Sequence, residues 1–216
     1  MITLFLASTT LCISIIVGFV YYKKLQPNWL QYFVWYLLYT LLFEVVAYLY
    51  SHYTKRSNHF LINSNIIIEF LFYFYIFFKT FQKKILKQLT CIMAVIYMLY
   101  NLYYIFAGAG IFIYNSSGNS IGSVFIIICC LIYFYSLFQS ELNINYFRIP
   151  MFWIATGLLF FLVGNALYLA LLNYILDYRL DPHANFYLSI NITLNLLLYG
   201  LFTCGFLSNQ LWKKET

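Results

Sequence analysis

The chain has 216 residues, of which 64% are hydrophobic, 23% aromatic and only 8% charged. Twelve Lys and Arg with six Asp and Glu are far below the roughly one-quarter charged residues of a soluble domain. They cannot cover such a chain in water, and its mean hydropathy is +0.81. A soluble enzyme, a disordered tail and a nucleic-acid binder are all disfavoured, and the net charge of +6 reads as membrane topology rather than a DNA footprint.

A bilayer core of about 30 Å needs roughly 20 mostly apolar residues per helix. In chain order the sequence predicts such spans at about 2–22, 29–50, 61–80, 88–107, 119–138, 151–172 and 187–208. The fold class expected is therefore all-α, a single seven-helix transmembrane domain over 1–216. The gaps hold the punctuation: Lys23, Lys24 and Pro27, then Ser51 to His59, then Lys83 and Lys84, with a tight hairpin between spans three and four. Gly108 to Asn119, Glu141 to Pro150, and Asp177 to Asn185 follow. A β-barrel would alternate apolar and polar residues, whereas Val124 to Leu131 and Leu158 to Val163 are continuously apolar. The first span reads as a retained helix, because Lys23 and Lys24 follow its apolar stretch instead of preceding it.

Basic residues set orientation. Lys23, Lys24, Lys79, Lys83, Lys84, Lys87, Arg148, Lys213 and Lys214 fall in or beside odd-numbered gaps and the C-terminus. Lys55, Arg56 and Arg179 fall in the even gaps. The imbalance predicts an outside N-terminus and a cytoplasmic C-terminus. The short tail predicts that any signal leaves through a membrane or cytoplasmic partner.

Ionisable groups inside a membrane are functional candidates by default. Glu44 and Glu69 are the two acids well within spans. Counted from the shared outer gap, both are expected roughly 10–12 Å below the rim. A shared proton or a bound cation would suit two acids at one depth. Asn65 lies one turn from Glu69, and Asn165, Asn191 and Asn195 occur at similar depth, with Tyr48, Tyr73 and Tyr199 nearby. Asn101 and Thr40 could contribute. These residues are the candidate ligand-binding set. The competing reading is interhelical packing, a common use of asparagine in bundles.

Spans three and seven share a polar stripe, Asn65, Glu69 and Tyr73 against Asn191, Asn195 and Tyr199. Two three-helix units joined by span four, in parallel, would explain it. His52, His59 and His183, with Asp181, are expected in outer loops and are the candidate metal ligands. The bland alternative is solvated loop residues, and no His-x-x-x-His or Cys-x-x-Cys spacing supports metal. The cysteines Cys12, Cys91, Cys129, Cys130 and Cys204 fall in or at the edge of apolar spans, where thiols act as small hydrophobes. No cofactor is implied.

Phe43-Glu44-Val45, Ile67-Ile68-Glu69 and Phe152-Trp153-Ile154 followed by Gly164-Asn165 give the chain a texture that resembles seven-helix integral membrane proteins of Bacteroidetes-type bacteria. Those are similar to the sensor-like membrane domains of bacterial histidine kinases. The resemblance implies an N-out seven-helix bundle in a bacterial cytoplasmic membrane. The layout is also similar to SWEET-type sugar transporters, but Pro27, Pro150 and Pro182 lie outside the core spans where such transporters carry prolines. The absence of lysine from Tyr187 to Ser208 excludes a rhodopsin pigment. The leading expectation is a receptor or sensor that binds a small molecule or cation in an outward-facing polar pocket. A secondary transporter using the glutamate pair is the alternative. An outer-leaflet lipid-modifying enzyme using His52, Asp181 and His183 is the third.

Overall fold

In a computed structural model, helix is the regular structure throughout the described residues. The chain forms α1 (Ile2–Val20), α2 (Trp29–Thr54), α3 (His59–Thr80), α4 (Lys84–Ala107), α5 (Ser116–Phe138), α6 (Pro150–Asp177) and α7 (Asn185–Leu211). Short 3-10 turns occupy Tyr22–Lys24 and Tyr146–Arg148. The structure describes the backbone of 2–108, 110–139, 145–177 and 185–211, and side chains over 9–108, 110–139, 145–168 and 188–208.

α2, α3, α4 and α5, with Pro150–Tyr168 of α6 and Leu188–Ser208 of α7, make six helices long and apolar enough to cross a membrane. Thr9–Val20 of α1 is apolar but shorter. Many large apolar side chains point away from the protein, among them Val20, Ile85, Phe106 and Leu167. Water-soluble monomers rarely expose contiguous apolar patches of this extent, and lipid is the solvent that accepts them. The chain is a multi-pass helical membrane protein.

Six hydroxyls within these helices are satisfied locally, whereas Ser14 Oγ and Tyr133 Oη are buried without a partner. Ser64, Thr80, Thr90, Ser123, Thr156 and Thr203 each donate to the carbonyl four residues earlier, at 2.7–2.9 Å. In hydrocarbon no water is present to accept such a proton, so this bond lets a polar residue sit in a span without a second helix.

The helices divide into two compact units, one of Met1–Leu38 with Cys130–Thr216, the other Tyr39–Cys129. The division falls inside α2 and α5 and does not follow the three-helix repeat expected from the polar stripe.

In the first unit α7 packs on α6 and α1. Phe33 sets its ring edge-on to Phe202, with centroids 4.8 Å apart and planes at 82°. Gly18 makes the close approach possible, because a Cβ there would stand 2.8 Å from Val34 and 3.3 Å from the Phe206 ring. Asn145 caps the 3-10 turn by accepting from Phe147 N–H at 3.1 Å. Pro150 then opens α6, at the first helical position where its missing N–H costs nothing. In the second unit Tyr97 is fully buried between Phe70 and Phe74, at ring separations of 5.4 and 6.0 Å.

Two expectations about the turn between α2 and α3 are corrected. α2 continues to Thr54 and α3 begins at His59, so His52 and His59 belong to helix ends, not to a loop. Loss of apolarity does not end a helix. α2 stops at Lys55, whose φ of 55° is the left-handed conformation that closes helices at this position.

Candidate functional site

Glu44 lies ten residues before the end of α2 and Glu69 ten residues after the start of α3. At 1.5 Å per residue each stands about 15 Å along its helix from the connecting turn. Tyr50 and Phe60, with rings 5.2 Å apart, and the bond from Asn58 Nδ2 to Ala47 O at 3.3 Å, hold the two helices together above them. Glu69 lies within electrostatic reach of Glu44, Tyr39 and Tyr97, all in the second unit.

The two acids have different surroundings. Glu69 is half-buried and accepts a 2.8 Å hydrogen bond from Tyr73 Oη, one turn along the helix. Glu44 is exposed. Tyr48, one turn from it, is also exposed and stacks on His52 at 5.8 Å and 15°. On the Glu69 stripe, one turn towards the start of α3, Asn65 Oδ1 is buried with no hydrogen-bond partner. A buried oxygen without a donor is costly, and a ligand is one common explanation for keeping one.

The remaining asparagines of the candidate set and Tyr199 lie in the other unit. Asn195 Nδ2 donates to Asn191 O at 2.8 Å and to Asn191 Oδ1. The amide therefore bonds within its own helix, whereas the packing reading expects bonds between helices. Asn165 is half-buried, and Tyr199 is buried against Phe202 at 6.1 Å.

A second polar cluster in the Tyr39–Cys129 unit takes in Asn101, which the sequence suggested as a contributor beside the glutamates, together with Asn63 and Asn115, which sequence reasoning missed. Asn63 Nδ2 donates to the carbonyls of Ile111 and Ile113, both at 2.7 Å. Its Oδ1 accepts from Asn115 N–H at 2.9 Å. Asn115 Oδ1 accepts from Gly118 N–H at 2.8 Å, the bond of a helix N-cap three residues into α5. Asn115 Nδ2 donates to Asn101 Oδ1 at 3.0 Å, and Asn101 Nδ2 returns to Tyr97 O at 2.9 Å. All three asparagines are buried. The cluster fastens the α4–α5 connection to α3. No apolar run follows Asn115, whose next five residues are Ser116, Ser117, Gly118, Asn119 and Ser120, so hydropathy did not mark it as the start of α5.

His59 is half-buried, with its ring 6.3 Å from Tyr114 and its Nδ1 buried without a hydrogen-bond partner. Among the described residues no three His, Cys, Asp or Glu side chains are grouped as metal ligands. Asp181 and His183 lie outside the described residues. Comparison with protein-family profiles, with curated proteins and with solved structures finds no match to this chain.

Proposed function

We propose that this membrane protein binds a small hydrogen-bond-donating or cationic ligand at the Asn65–Glu69 stripe of α3 and acts as a receptor or sensor. One observation carries the reading: the buried, unpartnered Oδ1 of Asn65 stands one helical turn from the Glu69 carboxyl. Both are acceptors on one face. An amine or ammonium group offers the donor that Asn65 Oδ1 lacks, and its charge would offset a carboxylate taken out of water. Glu44 adds a second negative group within electrostatic reach of Glu69. The positive-inside count supports an opening on the outer side. Transmission to a membrane or cytoplasmic signalling partner would complete the sensor role.

A panel of small amines, diamines and amino alcohols, screened by thermal shift on the purified protein, tests this. A hit is expected to lose affinity by about 10–100-fold in Glu69→Gln, the worth of a charge-assisted hydrogen bond. Binding that survives both Glu69→Gln and Asn65→Leu unchanged overturns the proposal. The electrostatic influence of Glu69 on Glu44 also favours a second reading, ion- or proton-coupled transport. That reading expects pH-dependent uptake in proteoliposomes that Glu69→Gln abolishes, and uptake that persists in the variant rejects it.

A further inference from the structure

The lysine-rich end of α3 and α4 carries a feature that the polar stripe does not use. A groove of about 660 Å³ is lined by Phe78, Lys84, Lys87, Gln88, Cys91 and Ile92. A second hollow of about 220 Å³ continues it between the same helices, sharing Phe78 and Cys91 and adding Leu71, Phe74, Tyr75, Thr90 and Ala94. One end is cationic and the rest is apolar.

The charges at that end are arranged against the helix. α4 begins at Lys84 with Lys83 as its N-cap residue, no side-chain cap and no acid in its first turn. The N-terminus of a helix carries a partial positive charge and favours anions. Here Lys83, Lys84 and Lys87 crowd it with cations instead. Lys87 Nζ lies over the Phe78 ring and Lys79 Nζ over the Tyr75 ring, each at 5.6 Å. No acid occurs in the sequence between Glu69 and Glu141, and among the described residues these lysines form no ion pair. Cations at the positive end of a helix, beside an apolar channel on a lipid-facing wall, lack only an anion with a hydrocarbon tail.

We infer that the α3–α4 groove binds an anionic phospholipid, with its phosphate at Lys84, Lys87 and the start of α4, and an acyl chain along Phe78, Cys91 and Ile92 towards Ala94. Basic hollows between membrane helices are suited to anionic headgroups. Gln88 at the mouth adds a neutral donor. The site stands apart from Asn65 and Glu69 and does not depend on the ligand proposed there.

The test uses the full chain in a neutral detergent. Phosphatidylglycerol is expected to raise Tm by about 5 °C at saturation. Phosphatidylcholine, with the same tails, and inorganic phosphate, without tails, are expected to leave it nearly unchanged. The phosphatidylglycerol shift should vanish in Lys84→Gln/Lys87→Gln and persist in Lys55→Gln/Arg56→Gln, which removes as much charge elsewhere. Ala94→Trp keeps the lysines but fills the channel, and should also lose the shift. Native mass spectrometry of the unaltered protein gives a readout independent of any variant, with phosphatidylglycerol retained over phosphatidylcholine. Equal shifts from the two lipids, a full shift from phosphate alone, a shift that survives the lysine substitutions, or no selective retention would each overturn the inference.

Discussion

Asn63 and Asn65 stand two residues apart on α3, about 200° around the helix from one another, and their amides meet opposite conditions. Asn63 closes three hydrogen bonds of 2.7–2.9 Å with Ile111, Ile113 and Asn115. Asn65 leaves Oδ1 buried and unpartnered, one turn from Glu69. Residue type, helix and depth are nearly the same, so composition cannot separate their roles. Bond closure does. An amide with its partners supplied by the fold is a fastening, whereas one with an open acceptor lacks a donor that the fold does not supply.

The comparison is most severely tested by giving both positions the same substitution. Asn63→Leu removes three bonds and strands the Asn115 N–H and two carbonyls. Losing hydrogen bonds to buried groups should cost about 3 kcal/mol here, a fall in Tm of about 6–12 °C for a chain of this size. Thermal unfolding in detergent measures it. A fall below about 2 °C would mean that the cluster fastens nothing.

Close packing behind the closed face gives the next largest effect. A Cβ on Gly122 would stand 2.7 Å from the Phe70 ring, and that ring is itself edge-on to Tyr97. Gly122→Ala should therefore cost about 2 kcal/mol through overpacking, seen as a Tm lower by about 4–8 °C. If it is neutral, α5 does not depend on the close approach to Phe70.

The contrast between these asparagines also marks how far sequence reasoning reaches. The helices were legible because about 20 consecutive apolar residues have few alternatives in a bilayer. Every helix lies within a few residues of its expected span. Helix ends were less legible, since α2 runs past its apolar stretch to Thr54 and stops on the backbone conformation of Lys55. Glu69 with Tyr73 was legible from i to i+4 spacing. Asn63 was not, because its partners are carbonyls some fifty positions away in a turn that no periodicity describes. The stripe of Asn191 and Asn195 matched that of Asn65 and Glu69 on paper, yet Asn195 turns its amide onto its own helix.

Within the open face, Tyr73 closes a hydrogen bond onto Glu69. Tyr73→Phe should lower Tm by about 2–4 °C, the worth of roughly 1 kcal/mol for one hydrogen bond. A double-mutant cycle with Glu69→Gln isolates the pair. Additive losses would show that the 2.8 Å contact carries no energy of its own.

Asn65→Leu is the smallest effect and the one with the opposite sign. Leucine matches asparagine in branching and in the number of its side-chain heavy atoms, with bulkier methyls, and carries no acceptor to leave unmet. Replacing a buried acceptor that has no partner by an apolar group of similar shape is neutral or stabilising, so the ligand-free protein should hold its Tm or gain about 2 °C. The same leucine at position 63 should cost several degrees. A gain on removing the amide is the outcome that the proposed ligand at Asn65 expects, because the ligand would supply the donor that the empty protein lacks. Should Asn65→Leu instead fall by as much as Asn63→Leu, the Oδ1 of Asn65 is satisfied in the membrane, and the case for a ligand at this stripe falls with it.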